Sequence, residues 1–278
     1  MEMTVLLVHR AHRFSPNCVE RDAALLRAIG EALEAKGCRV EHMEETQLTA
    51  DVLRHAPRHI VSMARSKSAV TLLRDWELQE GHKVWNAPQA VLDNTRARQT
   101  LRFMEAHIPL PPSEITNHPL ETSLNFPLWV KTGGGDAEAE ADVRYFASRA
   151  DLLCADFSDA TPYVISEHVE GDLVKFYGIV GTPFFYAYYP TVGKSGFSKF
   201  GLEAHNGVPR EYAYDVEALH RLATHAASVS GFTLYGGDCI VRPDGTFALI
   251  DFNDFPSFAP CAQEAAQSLA ERILSNYV

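Results

Sequence analysis

Asp238, Asp251 and Asn253 fall in the stretch GGDCIVRPDGTFALIDFNDFPSF, which otherwise has the apolar pattern of two buried strands around a turn. Residues two apart on an extended strand share a face, so Asp251 and Asn253 point one way while Ile250 and Phe252 point the other. The turn signals of RPDG, at 242–245, fold the second strand back onto the first, which brings Asp238 close to Asp251. Two carboxylates at close quarters in an apolar sheet repel each other and lose hydration, so something positive is expected between them. Two acids and an amide make an all-oxygen donor set that suits Mg²⁺, a hard ion that fills its other positions with water and phosphate oxygens. Taken singly, each of the three is also what a solvated residue beside an Asp-Gly turn looks like. The set, in its order and spacing, is what points to a metal.

A phosphate-bearing ligand needs more than a cation, and LWVKTGGGDAEAEADV offers the rest. Lys131 leaves a strand end just before Gly133, Gly134 and Gly135, where backbone N–H groups without side chains in the way can approach anionic oxygens. The spacing is not that of a P-loop, and a surface hairpin would carry the same glycines. In YVISEHVEGDLVKFY an apolar strand ends in Glu167, His168 and Val169, turns at Gly171 and returns through Lys175. Such a connection can offer backbone groups to a purine edge and an acid, here Asp172, to ribose hydroxyls.

The elements that must hold these residues follow from the remaining pattern. At 278 residues and 46% hydrophobic the chain can bury a large core, which places it among globular proteins of one or two units. A formal net charge of -11 argues against a nucleic-acid partner, because that affinity comes from Lys and Arg neutralising phosphates. Cys18, Cys38, Cys154, Cys239 and Cys261 are scattered without a C-x-x-C pair, so buried free thiols are expected rather than a disulfide framework or structural zinc. No apolar stretch is long enough for a membrane span, and the N-terminal apolar run is too short for a signal peptide; a cytoplasmic location is the default expectation, with self-association left open.

Residues 4–8 form a short apolar run, and the following helix repeats Leu25, Ile29 and Leu33 with Leu26 beside them, ending at Gly37. Strands near 39–40, at HIVSMA and at KVWNAP alternate with a helix at 69–79, the pattern of a small parallel α/β unit over residues 1–88. In DNTRARQTLRFMEAHIPLPPS, Leu101, Met104 and Ile108 recur on one helical face before Pro109, Pro111 and Pro112 stop the helix. Strands FPLWVK, YVISEHV, LVKFYGIVG and PFFYAYY then succeed one another as antiparallel sheet, and helices at 216–230 and 263–274 frame the final hairpin. An α+β body, divided into 89–165 and 166–278, stands behind an α/β front.

The helix NTRARQTLRFMEAHIPLPPS, the strand-end Lys131 with its glycine loop, the hinge SEHVEG and the closing GGDCIVRPDG...LIDFNDFPSF together resemble the ATP-grasp superfamily, in its usual order and over nearly the whole chain. The closing segment is the most specific part, similar to the family's G-x-D or G-D, hairpin, then [DE]-x-N-x-x-P-[GS]. The resemblance implies an N-terminal parallel-sheet domain and two antiparallel-sheet subdomains enclosing ATP. It implies Mg²⁺ on Asp238, Asp251 and Asn253, ATP phosphate on Lys131, the adenine beside Glu167, His168 and Val169, and ribose on Asp172. Arg96 stands where many members carry a second phosphate-binding Lys.

Most members phosphorylate a carboxylate and let an amine attack the acyl phosphate, so a ligase acting on a small anionic substrate is the first expectation. The hinge HVEGDLVKFYGIVG, with Lys175, is also similar to that of inositol polyphosphate kinases, which makes a small-molecule kinase the second and a nucleotide-binding module without turnover the third. Lys194, Lys199 and Arg210 are the expected catalytic cations for the acceptor's carboxylate or phosphate, with Arg10, His12 and Arg13 at the carboxyl end of the first strand as further anion contacts.

Overall fold

The computed structural model describes residues 3–15, 19–134, 142–158, 160, 162–190, 205 and 207–276. The first unit alternates strand and helix: β1 (Thr4–His9), α1 (Val19–Glu34), β2 (Arg39–Glu44), α2 (Ala50–Arg54), β3 (His59–Ser62), α3 (Lys67–Glu77) and β4 (Lys83–Trp85). Its sheet runs β2-β1-β3-β4, all parallel. Side chains alternate across β1: Val5 and Leu7 pack under α1 with Leu25, Ile29 and Leu33, while Leu6 and Val8 join Val70 and Leu73 of α3. Two buried faces explain the unbroken apolar run at the start of the chain.

After α4 (Pro88–Asp93) and α5 (Arg96–Glu105) comes an antiparallel sheet made by β5 (Ser113–Thr116), β6 (Leu128–Thr132), β7 (Val143–Phe146) and, after α6 (Arg149–Leu153), β8 (Tyr163–Glu167), in the order β5-β8-β6-β7. A second antiparallel sheet holds β9 (Asp172–Ile179), β10 (Phe185–Tyr188) and, after α7 (Val216–Ser230), β11 (Leu234–Val241) and β12 (Phe247–Asp254), in the order β10-β9-β11-β12. The chain ends in α8 (Ala262–Ser275). Among the described residues no helix is long and apolar enough to cross a membrane.

The strands from FPLWVK to PFFYAYY divide between the two antiparallel sheets that the resemblance implies: β6 and β8 pair in the first, β9 and β10 in the second, and the chain passes between them at 168–171. Two expectations are corrected. On α5, Leu101 is exposed, while Phe103 is buried against Phe252 with rings 5.6 Å apart. Apolar periodicity fitted two faces of that helix, and the aromatic ring, with more surface to remove from water, decided between them. Cys38, Cys239 and Cys261 are buried free thiols as expected, but Cys154 is exposed and Cys18 lies outside the described residues.

The last helix returns to the first unit. Ala266, Leu269 and Ile273 of α8 share a core with Leu26, Ile29 and Leu33 of α1, and Phe255 and Phe258 close the same cluster. Buried Asn86, just past β4, accepts hydrogen bonds from the N–H of Thr233 (2.7 Å) and Leu234 (2.6 Å) and donates one to the Leu234 carbonyl (2.7 Å). The β11 strand is thereby fixed to the end of the first sheet.

Candidate active site

Between the two antiparallel sheets lies a cavity of about 400 Å³, the size range of small-molecule sites. Its floor is the second of those sheets. Alternation along β9 sends Val174 and Phe176 into the α7 core and leaves Lys175 and Tyr177 on the cavity side. Across the ladder Lys175 stands opposite Asp238, which stands opposite Asp251. The Lys175 ammonium donates to Asp238 Oδ2 at 3.1 Å and to Oδ1 at 3.3 Å. The positive charge expected between the acids is thus supplied in part by the neighbouring strand, from the far side of Asp238. Asn253 shares its face with Asp251, and its Nδ2 donates to Asp251 Oδ2 at 2.7 Å.

Register slips by one residue beside this row. Asp238 faces Asp251 but Cys239 faces Leu249, which leaves Ile250 without a ladder partner in the β11–β12 pair. The Ile250 carbonyl instead accepts a hydrogen bond from Lys131 Nζ at 2.8 Å, reaching across from β6. Burial lowers the Lys131 pKa from its ordinary value; the nearby Asp251 and Asp238 work against that and Arg96 adds to it. Arg96, at the start of α5, donates to the Thr132 carbonyl at 2.6 Å and also lines the cavity.

The connection after β8 forms another wall. Glu167, His168 and Val169 all face the cavity. The backbone N–H groups of Glu167 and His168 are used by the carbonyls of Pro112 (2.9 Å) and Pro127 (2.8 Å). One Glu167 oxygen accepts from the Asn125 N–H (2.9 Å) and side-chain amide (2.8 Å). Trp129, unforeseen from sequence, lines the cavity and donates its indole N–H to His168 Nδ1 at 3.1 Å. An acceptor nitrogen there is a neutral imidazole, in keeping with burial lowering the His168 pKa while Glu170 raises it.

Other sequence-predicted residues lie elsewhere. Asp172 is buried and faces away from the cavity lining; its oxygens accept the backbone N–H groups of Arg210 and Tyr212, each at 2.9 Å. It latches segment 210–212 onto the start of β9. Arg210 is exposed, its guanidinium bonded to the Tyr212 hydroxyl at 2.7 Å, so the structure does not bring it to the cleft. Gly133 does not offer its N–H to the cavity either, since that group donates to the Pro162 carbonyl at 2.8 Å. A Cβ there would sit 2.6 Å from the same oxygen, so the glycine permits strand packing. Gly134 is exposed, and Gly135, Lys194 and Lys199 lie outside the described residues.

Of the cations placed after β1, Arg10 reaches the cavity, bridging the carbonyls of Met63 (3.1 Å) and Phe255 (3.3 Å) and pairing with Asp22 at 3.4 Å. Arg13 instead lies over the Phe14 ring. Arg65, a second arginine that sequence reading missed, lines the cavity with Nη1 on Asp254 Oδ1 at 2.5 Å and Nη2 on the Asp254 carbonyl at 3.1 Å. Its signal was the one that singled out Arg10: a cation just beyond a parallel strand's carboxyl end. Buried Glu45 sets both, accepting the N–H groups of Ala11 (2.7 Å), Arg65 (3.0 Å) and Ser66 (2.8 Å).

The donor set fits a hard cation. Two carboxylates and an amide, all with hard oxygen donors, stand along one cavity edge.

No protein-family model matches the chain, nor does any curated protein sequence. Solved structures do. PsnB, described as an ATP-grasp ligase complexed with minimal precursor, Mg and ADP, matches 98% of this chain and 97% of its own at 16% identity, with a TM-score of 0.62. D-cycloserine synthetase DcsG matches over 97% and 99% of the two chains at 15% identity and a TM-score of 0.65. D-alanine–D-alanine ligase from Bacillus anthracis matches over 98% and 96% at 11% identity and a TM-score of 0.62. A parallel four-stranded front and two antiparallel four-stranded sheets around a cleft are thus the ATP-grasp fold, and this chain adopts it from end to end.

Proposed function

We propose that this protein is an ATP- and Mg²⁺-dependent ligase that phosphorylates a small-molecule carboxylate and couples it to an amine or similar nucleophile. The observation that carries the reading is the row Lys175–Asp238–Asp251 across β9, β11 and β12, with Lys131 descending on it from the opposite sheet. It puts hard oxygen donors and ammonium groups where the two sheets close on one cavity. The neighbouring ligases of known structure add weight: PsnB was solved with Mg and ADP.

In this reading Asp238, Asp251 and Asn253 hold Mg²⁺, which when bound neutralises phosphate charge and aligns the terminal phosphoryl group. Lys131 binds a phosphate oxygen in exchange for the Ile250 carbonyl, and Arg96 supplies a second cation nearby. Lys175 keeps Asp238 ionised and oriented. Glu167, His168 and Val169 border the purine, with the Trp129 indole fixing the His168 ring. Arg10 and Arg65 stand beside Asp254 and Phe255, one step along the chain from Asn253, where they can orient the acceptor's carboxylate. Chemistry then rests on positioning and charge neutralisation: carboxylate oxygen attacks the terminal phosphorus, ADP leaves, and the amine displaces phosphate from the acyl phosphate.

A kinase for a highly phosphorylated substrate would need several uncompensated cations at one place. Among the described cavity cations Arg10, Arg65 and Lys175 are matched by Asp22, Asp254 and Asp238, which leaves Lys131 and Arg96, both on backbone carbonyls, without a carboxylate partner. Two such cations suit one nucleotide better than a nucleotide and a highly phosphorylated acceptor together, which favours the ligase over the kinase. The fate of the phosphate separates the two. With a panel of acids and amines, a ligase releases inorganic phosphate only when both partners are present; phosphate retained on a product in the absence of any amine identifies a kinase and overturns the proposal.

A further inference from the structure

A second cavity, about 290 Å³, opens beside the first at the carboxyl ends of β1 and β2, under the first half of α1. The two share Arg10 and Asp22 in their walls, so they adjoin. Its polar lining is mixed. Asp22 is matched by Arg10 and by the Ser15 hydroxyl, 2.5 Å from its Oδ2. Glu44 has neutral company: its Oε2 accepts the Thr46 hydroxyl at 3.1 Å, and its own N–H donates to Gln47 Oε1 at 3.0 Å. With Asp22 and Arg10 cancelling, Glu44 is the carboxylate that carries the cavity's negative charge.

Next to Glu44 on the same sheet, His9 Nε2 and His42 Nδ1 share a hydrogen at 3.0 Å. Burial and the neighbouring His42 lower the His9 pKa, with Glu44 opposing. In a neutral pair one N–H lies between the rings. Whichever ring supplies it, one outer nitrogen keeps a lone pair and the other carries the second N–H. The cavity wall therefore sets the Glu44 carboxylate beside the His9–His42 pair, a combination suited to a donor-rich cation.

We propose that this second cavity binds the ammonium end of the amine-bearing co-substrate, with Glu44 as its counter-charge and the His9–His42 pair as a hydrogen-bond acceptor. Its description as the nucleophile's pocket rests on the ligase reading above; the binding of an amine does not.

Glycinamide, which has an ammonium group and no carboxylate, and N-acetylglycine, its reverse, are the probes, with the melting temperature of the full-length protein as readout. Glycinamide is expected to stabilise the wild-type protein, and any stabilisation by N-acetylglycine, whose carboxylate suits the Arg10 and Arg65 side, is expected to be the same in the wild type and in Glu44→Gln. In Glu44→Gln the half-saturating glycinamide concentration rises at least tenfold, while the ligand-free melting temperature stays at the wild-type value. Lowering the pH until His9 protonates, at a pKa that burial holds below the ordinary imidazole value, weakens glycinamide binding because it adds like charge beside the ammonium. The charged and titratable groups facing it are Glu44 and His42 from β2, Asp22 from α1, and Arg10 and His12 from the segment after β1. Should Glu44→Gln fail to fold, the pH dependence in the wild-type protein decides. Equal glycinamide binding to Glu44→Gln, or no stabilisation of the wild type by glycinamide, overturns the assignment. Failure to bind ADP with Mg²⁺ would count against the nucleotide reading and leave the glycinamide result standing.

Discussion

Lys131 is half-buried, with its ammonium on a carbonyl rather than a carboxylate, an arrangement that costs stability without a ligand. Because burial holds its pKa below 10.5, the unfolded chain binds more protons than the folded one between the lowered and the ordinary value. Stability therefore rises as pH climbs through that interval, where the ammonium is given up. Lys131→Met should match or exceed the wild-type melting temperature at neutral pH. The same variant should bind ADP with Mg²⁺ about tenfold or more weakly, the size of one charge-assisted hydrogen bond. Calorimetry checks the second arm, and an unchanged affinity removes Lys131 from the site. The lysine stood out in the sequence as a strand-end cation before a glycine run, and Asp238 and Asp251 as acids inside apolar strands, where a charge demands a partner. Glu45 and Arg65 were not, since a carboxylate satisfied by three backbone N–H groups leaves no local pattern.

Elements owe their placement to backbone features at the strand junctions. The slip in β12 that frees the Ile250 carbonyl is invisible in the alternation of apolar residues, which showed only that Asp251 and Asn253 share a face. At the hinge, Gly171 has φ 152°, and a Cβ there would lie 2.4 Å from the Val241 carbonyl oxygen. Gly171→Ala should cost on the order of 1–3 kcal/mol by chemical denaturation. The hinge acid gives a separate test. Asp172→Ala leaves two backbone donors unmatched and should destabilise by about 1–3 kcal/mol. Since Asp172 faces Arg210 and Tyr212 rather than the cavity, its ADP affinity should stay within about twofold of wild type. A large loss of affinity would return Asp172 to the ribose. Sequence could not tell these roles apart, because an acid after Gly171 serves a ligand hydroxyl or a neighbouring loop equally well.

Across the whole molecule, the first unit and the last sheet are joined by contacts remote in sequence. Helix α8 packs on α1, and Asn86 pins the start of β11. Leu269→Ala, in the middle of that helix pair, should cost about 2–5 kcal/mol. The parallel front and the antiparallel body were readable from periodicity, which depends on neighbours along the chain. The return of α8 was not, because it depends on which faces meet, and the partition of strands between two sheets came from the family resemblance rather than from periodicity. Cavity position follows from that assembly: β6 brings Lys131 and β9, β11 and β12 bring the row beneath it. The most direct measurement is ADP affinity by calorimetry, with and without Mg²⁺, for the wild-type protein and Asp251→Asn. Mg²⁺ should tighten ADP binding about tenfold or more in the wild type and have little effect in the variant, whose melting temperature should be close to wild type. An equal Mg²⁺ effect in both proteins would contradict the account.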